Sequence, residues 1–309
     1  MELVGSDMLR QATQECRAVL LCATEAEAEQ VHGMLVAPQR HTVATKTLFV
    51  GESGSAGKVV LAISGCDKAN AAHVLTCLFQ AMSPAPRLVV QFGIAGAFPS
   101  AGPGPGARVG DIVLATDEAY SDTGSSSPEK WLSAAELGLP IASVDGIELG
   151  GLFPLGMGLV LAAADAIEGI DWADMVVPEA TDGPIAAQAV AASEGVSWST
   201  GVGRPGGLPA VLLGTCVTAS QVTGLRSEAE TTAARWGALA ESMEGAAAAH
   251  ICALYGAPFV EVRGISNLVV DRDRGSWEVE RAAAVAGRAA LAVVEAIDRL
   301  PLDGRRWTI

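Results

Sequence analysis

Residues 58–82, KVVLAISGCDKANAAHVLTCLFQAM, decide the fold class. An apolar run ends at Ile63, small residues make a turn, and a helical pattern begins at about Lys68. The same order is read one unit earlier. In RAVLLCATEAEAEQVHGML (17–35) a buried strand of about four to six residues is followed by a turn at Ala23–Thr24 and then a helix. Glutamates open that helix, where its dipole favours them. RLVVQFGIAGAF (87–98) is expected to start a third strand–turn–helix unit. Strands followed repeatedly by helices make an α/β domain with a largely parallel or mixed sheet, whose ligand groups gather at the C-terminal strand ends.

Further along, LPAVLLGTCVTA (208–219) reads as a strand and SEAETTAARWG (227–237) as a helix. ALAESME (238–244) is strand-like, GAAAAHICALYG (245–256) helical, and APFVEVRGISN (257–267) a strand. A terminal helix is expected from about Ser276 to Arg299. Residues 1–16 are polar and read as a loose extension of a single domain spanning 17–309. Within it, about 125–205 is an irregular Gly-, Pro- and Ser-rich elaboration, with short helices expected at WLSAAELGL (131–139) and around Leu159 to Ile170. No repeat or dividing linker is visible.

Composition excludes several classes. Half of the 309 residues are apolar, too many for a disordered chain. The net charge of -15, with no basic cluster, repels polyphosphate backbones and argues against a nucleic-acid partner. Two charge-free stretches, between Arg87 and Arg108 and between Arg204 and Arg226, contain prolines and glycines or polar residues and do not read as membrane spans. No secretory signal opens the chain, so a cytoplasmic location is expected. The six cysteines are scattered without a CxxC pair and read as reduced core thiols. Neither they nor the four histidines suggest a metal site, and no cofactor is expected. His250 is open to a catalytic or a packing role.

Two polar positions stand out against an apolar background. Glu244 opens a helix of small residues; its two oxygens suit the paired hydroxyls of a ribose, or simply the helix dipole. Ser266 and Asn267 end a buried strand, where an α/β sheet presents ligand groups, although Asn also serves to turn a chain there.

Taken together, ESMEGAAAAHICALYGAPFVEVRGISN (241–267), FGIAGAF (92–98) and ARVGDIVLATDEAYSDTG (107–124) resemble the nucleoside phosphorylase and nucleosidase superfamily. ATEAEAE (23–29), DEAYSDTG (117–124), the Asn ending and RDRGSW (272–277) most resemble its futalosine hydrolase branch, which releases hypoxanthine in the alternative menaquinone route. The resemblance implies a three-layer sandwich with a central mixed sheet flanked by helices. It covers most of the chain outside 1–16 and about 125–205.

The resemblance also implies roles. Glu27 matches the water-activating Glu of nucleosidases, with Glu25 as the near alternative. Glu244 would clamp the ribose and Met243 pack on its face. Backbone of Ile94, Ala95 and Gly96 would line the ribose and base, with Gln221, Val222 and Thr223 near the purine. Asn267, supported by Ser266, would hold the base. Phosphorylase relatives place an Arg two residues before the first Gly of FGIAG; here that residue is Gln91, which argues for water rather than phosphate. Arg272 and Arg274 are candidates for a carboxylate on the 5′ side of the ribose, or are solvated arginines paired with Asp271 and Asp273. The partners implied are a small nucleoside and a second copy of the chain, in a homodimer or higher homo-oligomer. The alternatives are a purine nucleoside phosphorylase, a methylthioadenosine-type nucleosidase, and a nucleoside-binding sensor without turnover.

Overall fold

Five consecutive core residues, Ala18–Cys22, form the first strand of a mixed sheet. The computed structural model describes residues 4–99, 106–128, 130–172, 208–271 and 274–302. The first half runs α1 (Val4–Ala12), β1 (Ala18–Cys22), α2 (Glu25–Met34), β2 (Val36–Val43), β3 (Lys46–Ser53), β4 (Gly57–Ile63), α3 (Lys68–Ala81), β5 (Leu88–Ala97) and β6 (Ile112–Tyr120). Then come the short strands β7 (Gly124–Ser126), β8 (Trp131–Ser133), β9 (Ala142–Val144), β10 (Ile147–Leu149) and β11 (Leu152–Pro154), followed by α4 (Met157–Glu168). The last part holds β12 (Val211–Thr218), α5 (Arg226–Trp236), β13 (Ala238–Ser242), α6 (Gly245–Tyr255), β14 (Phe259–Leu268) and α7 (Val279–Glu295).

In the main sheet β4, β1 and β5 are parallel neighbours, and the β2–β3 hairpin extends the sheet beyond β4. On the other side β5, β14, β6, β12 and β13 pair in turn, and β13 returns to β5, closing a ring of strands. Alternation along β14 divides its surroundings. Gly264 faces α7, so closely that a Cβ there would lie 2.1 Å from Ala282 O, while Glu261 and Arg263 point to the opposite side, beneath the start of α6. α7 packs with α2 and α4, and α6 packs with α3. The three-layer expectation holds. Leu20, Leu61 and Leu88 are fully buried, each burial contributing roughly 1.5–3 kcal/mol.

Several local expectations are corrected. The N-terminal extension contains α1, with Leu9 in the core. No helix follows β5 among the described residues; FGIAGA stays extended because β14 pairs with it as far as Ala97. WLSAAELGL forms β8 and a turn instead of a helix, since Trp131–Ser133 pair with Gly124–Ser126. The β2–β3 hairpin was not expected. Residues 173–205 of the expected elaboration lie outside the described residues, whereas α4 is found where a helix was read. Cys66 is exposed and Cys77 partly so; the other four cysteines are buried thiols. Among the described residues no helix is long and apolar enough to cross a membrane.

Candidate active site

The first helix turn after β1 is built around one carboxylate. Thr24 caps α2: its Oγ1 accepts the Glu27 N–H at 3.2 Å, and Glu27 Oε2 accepts the Thr24 N–H at 2.9 Å, a reciprocal capping box. Oε2 also accepts from Ala23 N at 3.0 Å and from the Thr24 hydroxyl at 3.0 Å. Oε1 reaches across to β5 and accepts the Ile94 N–H at 2.9 Å. With Oε2 taken up by the cap, Oε1 keeps one lone pair for a further proton. Glu27 is buried and Glu25 exposed.

Gly93 explains how this carboxylate comes so close to the sheet. A Cβ there would sit 2.4 Å from Glu27 Oε1 and 3.0 Å from Arg263 Nη1. Arg263 is fully buried; its Nε donates to Glu261 Oε1 at 2.6 Å and its Nη1 to Ile94 O at 3.4 Å. The same Nη1 lies 3.8 Å from Glu244 Oε2. Glu244 precedes α6, and its Oε1 accepts the Asp67 N–H at 3.0 Å. Burial pushes the Glu244 carboxyl above the usual range, Arg263 and the Asp67 N–H pull it back, and Glu27 and Glu261 raise it further.

At the end of β14 a bulge between Ile265 and Asn267 frees Ser266 from the ladder. Its hydroxyl lies 3.2 Å from Ala95 O and 2.8 Å from Asn267 Oδ1, and its single proton serves one of them at a time. Asn267 Nδ2 donates to Leu268 O at 3.1 Å and would lie 3.1 Å from a Cβ on Gly96. Asn267 therefore retains one donor and one acceptor site.

The segment after β12 is pinned at both ends. Ser220 Oγ donates to Asp67 Oδ1 at 2.9 Å and Ser220 N to Asp122 Oδ2 at 2.8 Å, and Asp122 also pairs with Lys68. Thr223 donates its N–H and hydroxyl to Glu241 at 2.8 and 2.5 Å, and Glu241 stands opposite Gly96 in the β13–β5 ladder. Val222 thus lies in a segment tied to the Gly96 end of β5, while Gln221 is exposed. Met243 is half-buried between β13 and Glu244.

Glu27, Ile94, Ala95, Gly96, Glu244, Ser266 and Asn267 are thus joined by direct contacts or through Arg263. Arg272 lies outside the described residues, and Arg274 starts a one-turn 3-10 helix whose first side chain is likewise outside them. His250 packs between Tyr120 and Phe153, with Nδ1 3.3 Å from the Tyr120 hydroxyl, and burial lowers its pKa. A surface groove lined by Met8, Gln11, His41 and Lys58 contains none of the candidate residues.

Sequence reasoning passed over Arg263, Glu261 and Glu118, all fully buried. The available signal was Glu-x-Arg on one face of a strand otherwise made of Phe, Val and Ile.

Residues 17–300 match the Phosphorylase superfamily. The chain belongs to that superfamily. Within the superfamily it is 38% identical over 95 residues to futalosine hydrolase of Streptomyces coelicolor, a stretch covering 30% of this chain and 37% of that enzyme. It is 28% identical over 226 residues to futalosine hydrolase of Thermus thermophilus, covering 73% and 76%. It is 27% identical over 270 residues to 5′-methylthioadenosine/S-adenosylhomocysteine nucleosidase of Mycobacterium bovis, covering 86% and 92%. The solved nucleosidase of the same kind from Neisseria meningitidis shares the superfamily fold, with a TM-score of 0.66 at 22% identity over 90% of this chain and 98% of that one.

Proposed function

We propose that this chain hydrolyses the N-glycosidic bond of futalosine, releasing hypoxanthine and leaving dehypoxanthinyl futalosine, a step of menaquinone biosynthesis. Water is the nucleophile and no cofactor takes part. The observation that carries the reading is the charge around the site. One guanidinium, Arg263, faces Glu27, Glu244 and Glu261, with Glu118 close behind. Such a surrounding repels phosphate and favours the positive charge that develops on the sugar.

In this reading Glu27 Oε1 takes a proton from water, whose oxygen bonds to the anomeric carbon as the bond to the base breaks; the electron pair of that bond leaves with the base, which takes up a proton from solvent at N7. Glu244 holds the ribose hydroxyls, Met243 packs on the sugar, and backbone of Ile94, Ala95 and Gly96 lines sugar and base. The base lies near Val222. Asn267, held by Ser266, donates to O6 and accepts from N7–H, a pairing that suits a 6-oxopurine better than a 6-aminopurine. Arg272 and Arg274 would meet the carboxylate on the 5′ side. The relatives in Streptomyces and Thermus support the choice of substrate. The working form is a homodimer or higher homo-oligomer in the cytoplasm.

The test is incubation with futalosine, inosine and methylthioadenosine, with and without phosphate, followed by identification of base and sugar. Phosphate-independent release of hypoxanthine from futalosine is expected. A ribose 1-phosphate product would identify a phosphorylase; preferred release of adenine would favour the activity named for the Mycobacterium relative. Binding without release of any base would leave a sensor.

A further inference from the structure

Beneath the head of α6 two fully buried carboxyl groups meet. A Cβ on Gly245 would lie 2.2 Å from Glu118 Oε1 and 2.4 and 2.5 Å from the two oxygens of Glu261. Among the described residues no protein group donates a hydrogen bond to Glu118 Oε1 or Glu261 Oε2. Their other oxygens are engaged: Glu118 Oε2 accepts from Thr218 Oγ1 at 2.9 Å, and Glu261 Oε1 accepts from Arg263 Nε at 2.6 Å. Thr218 Oγ1 in turn accepts the Ala246 N–H at 2.7 Å. Two ionised carboxylates facing each other in a fully buried place are strongly disfavoured, and one proton between them removes the conflict.

We propose that Glu118 and Glu261 share a single proton, and that this pair positions Arg263, and through it Glu244 and the Ile94 backbone, for hydrolysis of the glycosidic bond. Neither carboxyl touches the substrate; both are positioning residues. The functional part rests on the hydrolase reading, whereas the shared proton does not.

The surroundings support this direction. Burial raises the Glu118 pKa most, followed by the charge of Glu261 and the hydrogen bond to it, against the lowering effects of Arg263 and Thr218. The charged or titratable neighbours of the pair are Arg263 on β14, Tyr120 on β6, Cys216 on β12 and Glu244 at the head of α6, and Glu27 on α2 faces Arg263 from the other side. A proton held above the ordinary carboxylate range is lost as pH rises. The two charges then repel, and Glu261 loses its fixed place against Arg263.

The experiment has two readouts. Infrared difference spectra of the wild-type protein should show the carbonyl band of a neutral buried carboxylic acid at neutral pH, absent from Glu118→Gln and retained in Glu244→Gln. Absence of such a band from the wild type, or its persistence in Glu118→Gln, overturns the shared proton without bearing on the hydrolase reading. In kinetics with whichever nucleoside is cleaved, Glu118→Leu should lower kcat tenfold or more. Glu118→Gln, which supplies a permanent N–H to Glu261, should recover most of that loss and move the alkaline fall of kcat to higher pH. Equal losses in the two variants with an unchanged pH profile would reduce the pair to packing.

Discussion

Glu27 Oε1 accepts the Ile94 N–H at 2.9 Å, so the carboxylate that caps α2 is also fixed to β5. One side chain therefore serves helix start, interstrand placement and, in the proposed reaction, proton transfer. Substitutions can separate these uses. Glu27→Gln keeps a carbonyl for one partner and removes the base; kcat should fall on the order of 10²- to 10⁴-fold, the usual scale for a lost general base. Glu27→Ala should in addition lower stability by about 1 kcal/mol through loss of the cap. Glu25→Gln, on an exposed residue of the same helix, should change neither. Steady-state rates and thermal melts of the three variants check this, and a wild-type rate for Glu27→Gln would remove Glu27 from catalysis.

Glu244→Gln should weaken transition-state binding by roughly 1.5–3 kcal/mol, the scale of a charge-assisted hydrogen bond, read as kcat/KM. Since burial raises the Glu244 pKa, the ionised clamp is lost as pH falls through a value above the ordinary carboxylate range. The acid limb of wild-type kcat/KM should accordingly lie higher than expected for an exposed Glu, and Glu244→Gln should move it to lower pH.

Gly93→Ala forces a methyl group to within 2.4 Å of Glu27 Oε1. Local overpacking of this kind costs about 1–3 kcal/mol in stability, while a displaced base slows the reaction about 10²-fold. Melting and kcat measured on one preparation should show both effects. An unaltered kcat would mean that Glu27 can move without consequence.

Asn267→Asp should shift the preference from hypoxanthine towards adenine release, most clearly at low pH, where the acid is protonated and can donate to N7. The benefit should fade as pH rises through the Asp pKa. Paired nucleosides with one 5′ group and either base provide the measurement; an unchanged ratio would show that Asn267 does not read the base.

The elements legible in the sequence were those whose signal is local. β1 with α2, β4 with α3, and α6 with β14 each combine an apolar run with a cap or small-residue turn within one stretch. The β2–β3 hairpin escaped because β2 is mostly exposed and its turn is Ala44–Thr45, both at positive φ (46 and 70°), where Asn-Gly is the usual mark. Gly93 and Gly96 suggested a turn, yet they are strand residues that make room for Glu27 and Asn267, neighbours remote in sequence. The candidate site divides in the same way. Glu27, Glu244 and Asn267 stood out against apolar neighbours, whereas Arg263, Glu261 and Glu118 acquire meaning only when β6 and β14 lie side by side.

The strand ring has an uneven seam. β14 pairs with β5 almost from end to end, but β13 closes onto β5 through just Ala240 with Ala97 and Glu241 with Gly96. Fewer ladder bonds mean cheaper local opening, so amide hydrogen exchange should be fastest, within the ring, at Phe98 and its β13 neighbours and slowest along the middle of β14. The seam also adjoins Asn267, whose Nδ2 sits beside Gly96. A molecule gripped there would damp the opening, making the exchange rate of a few backbone amides a direct report of occupancy.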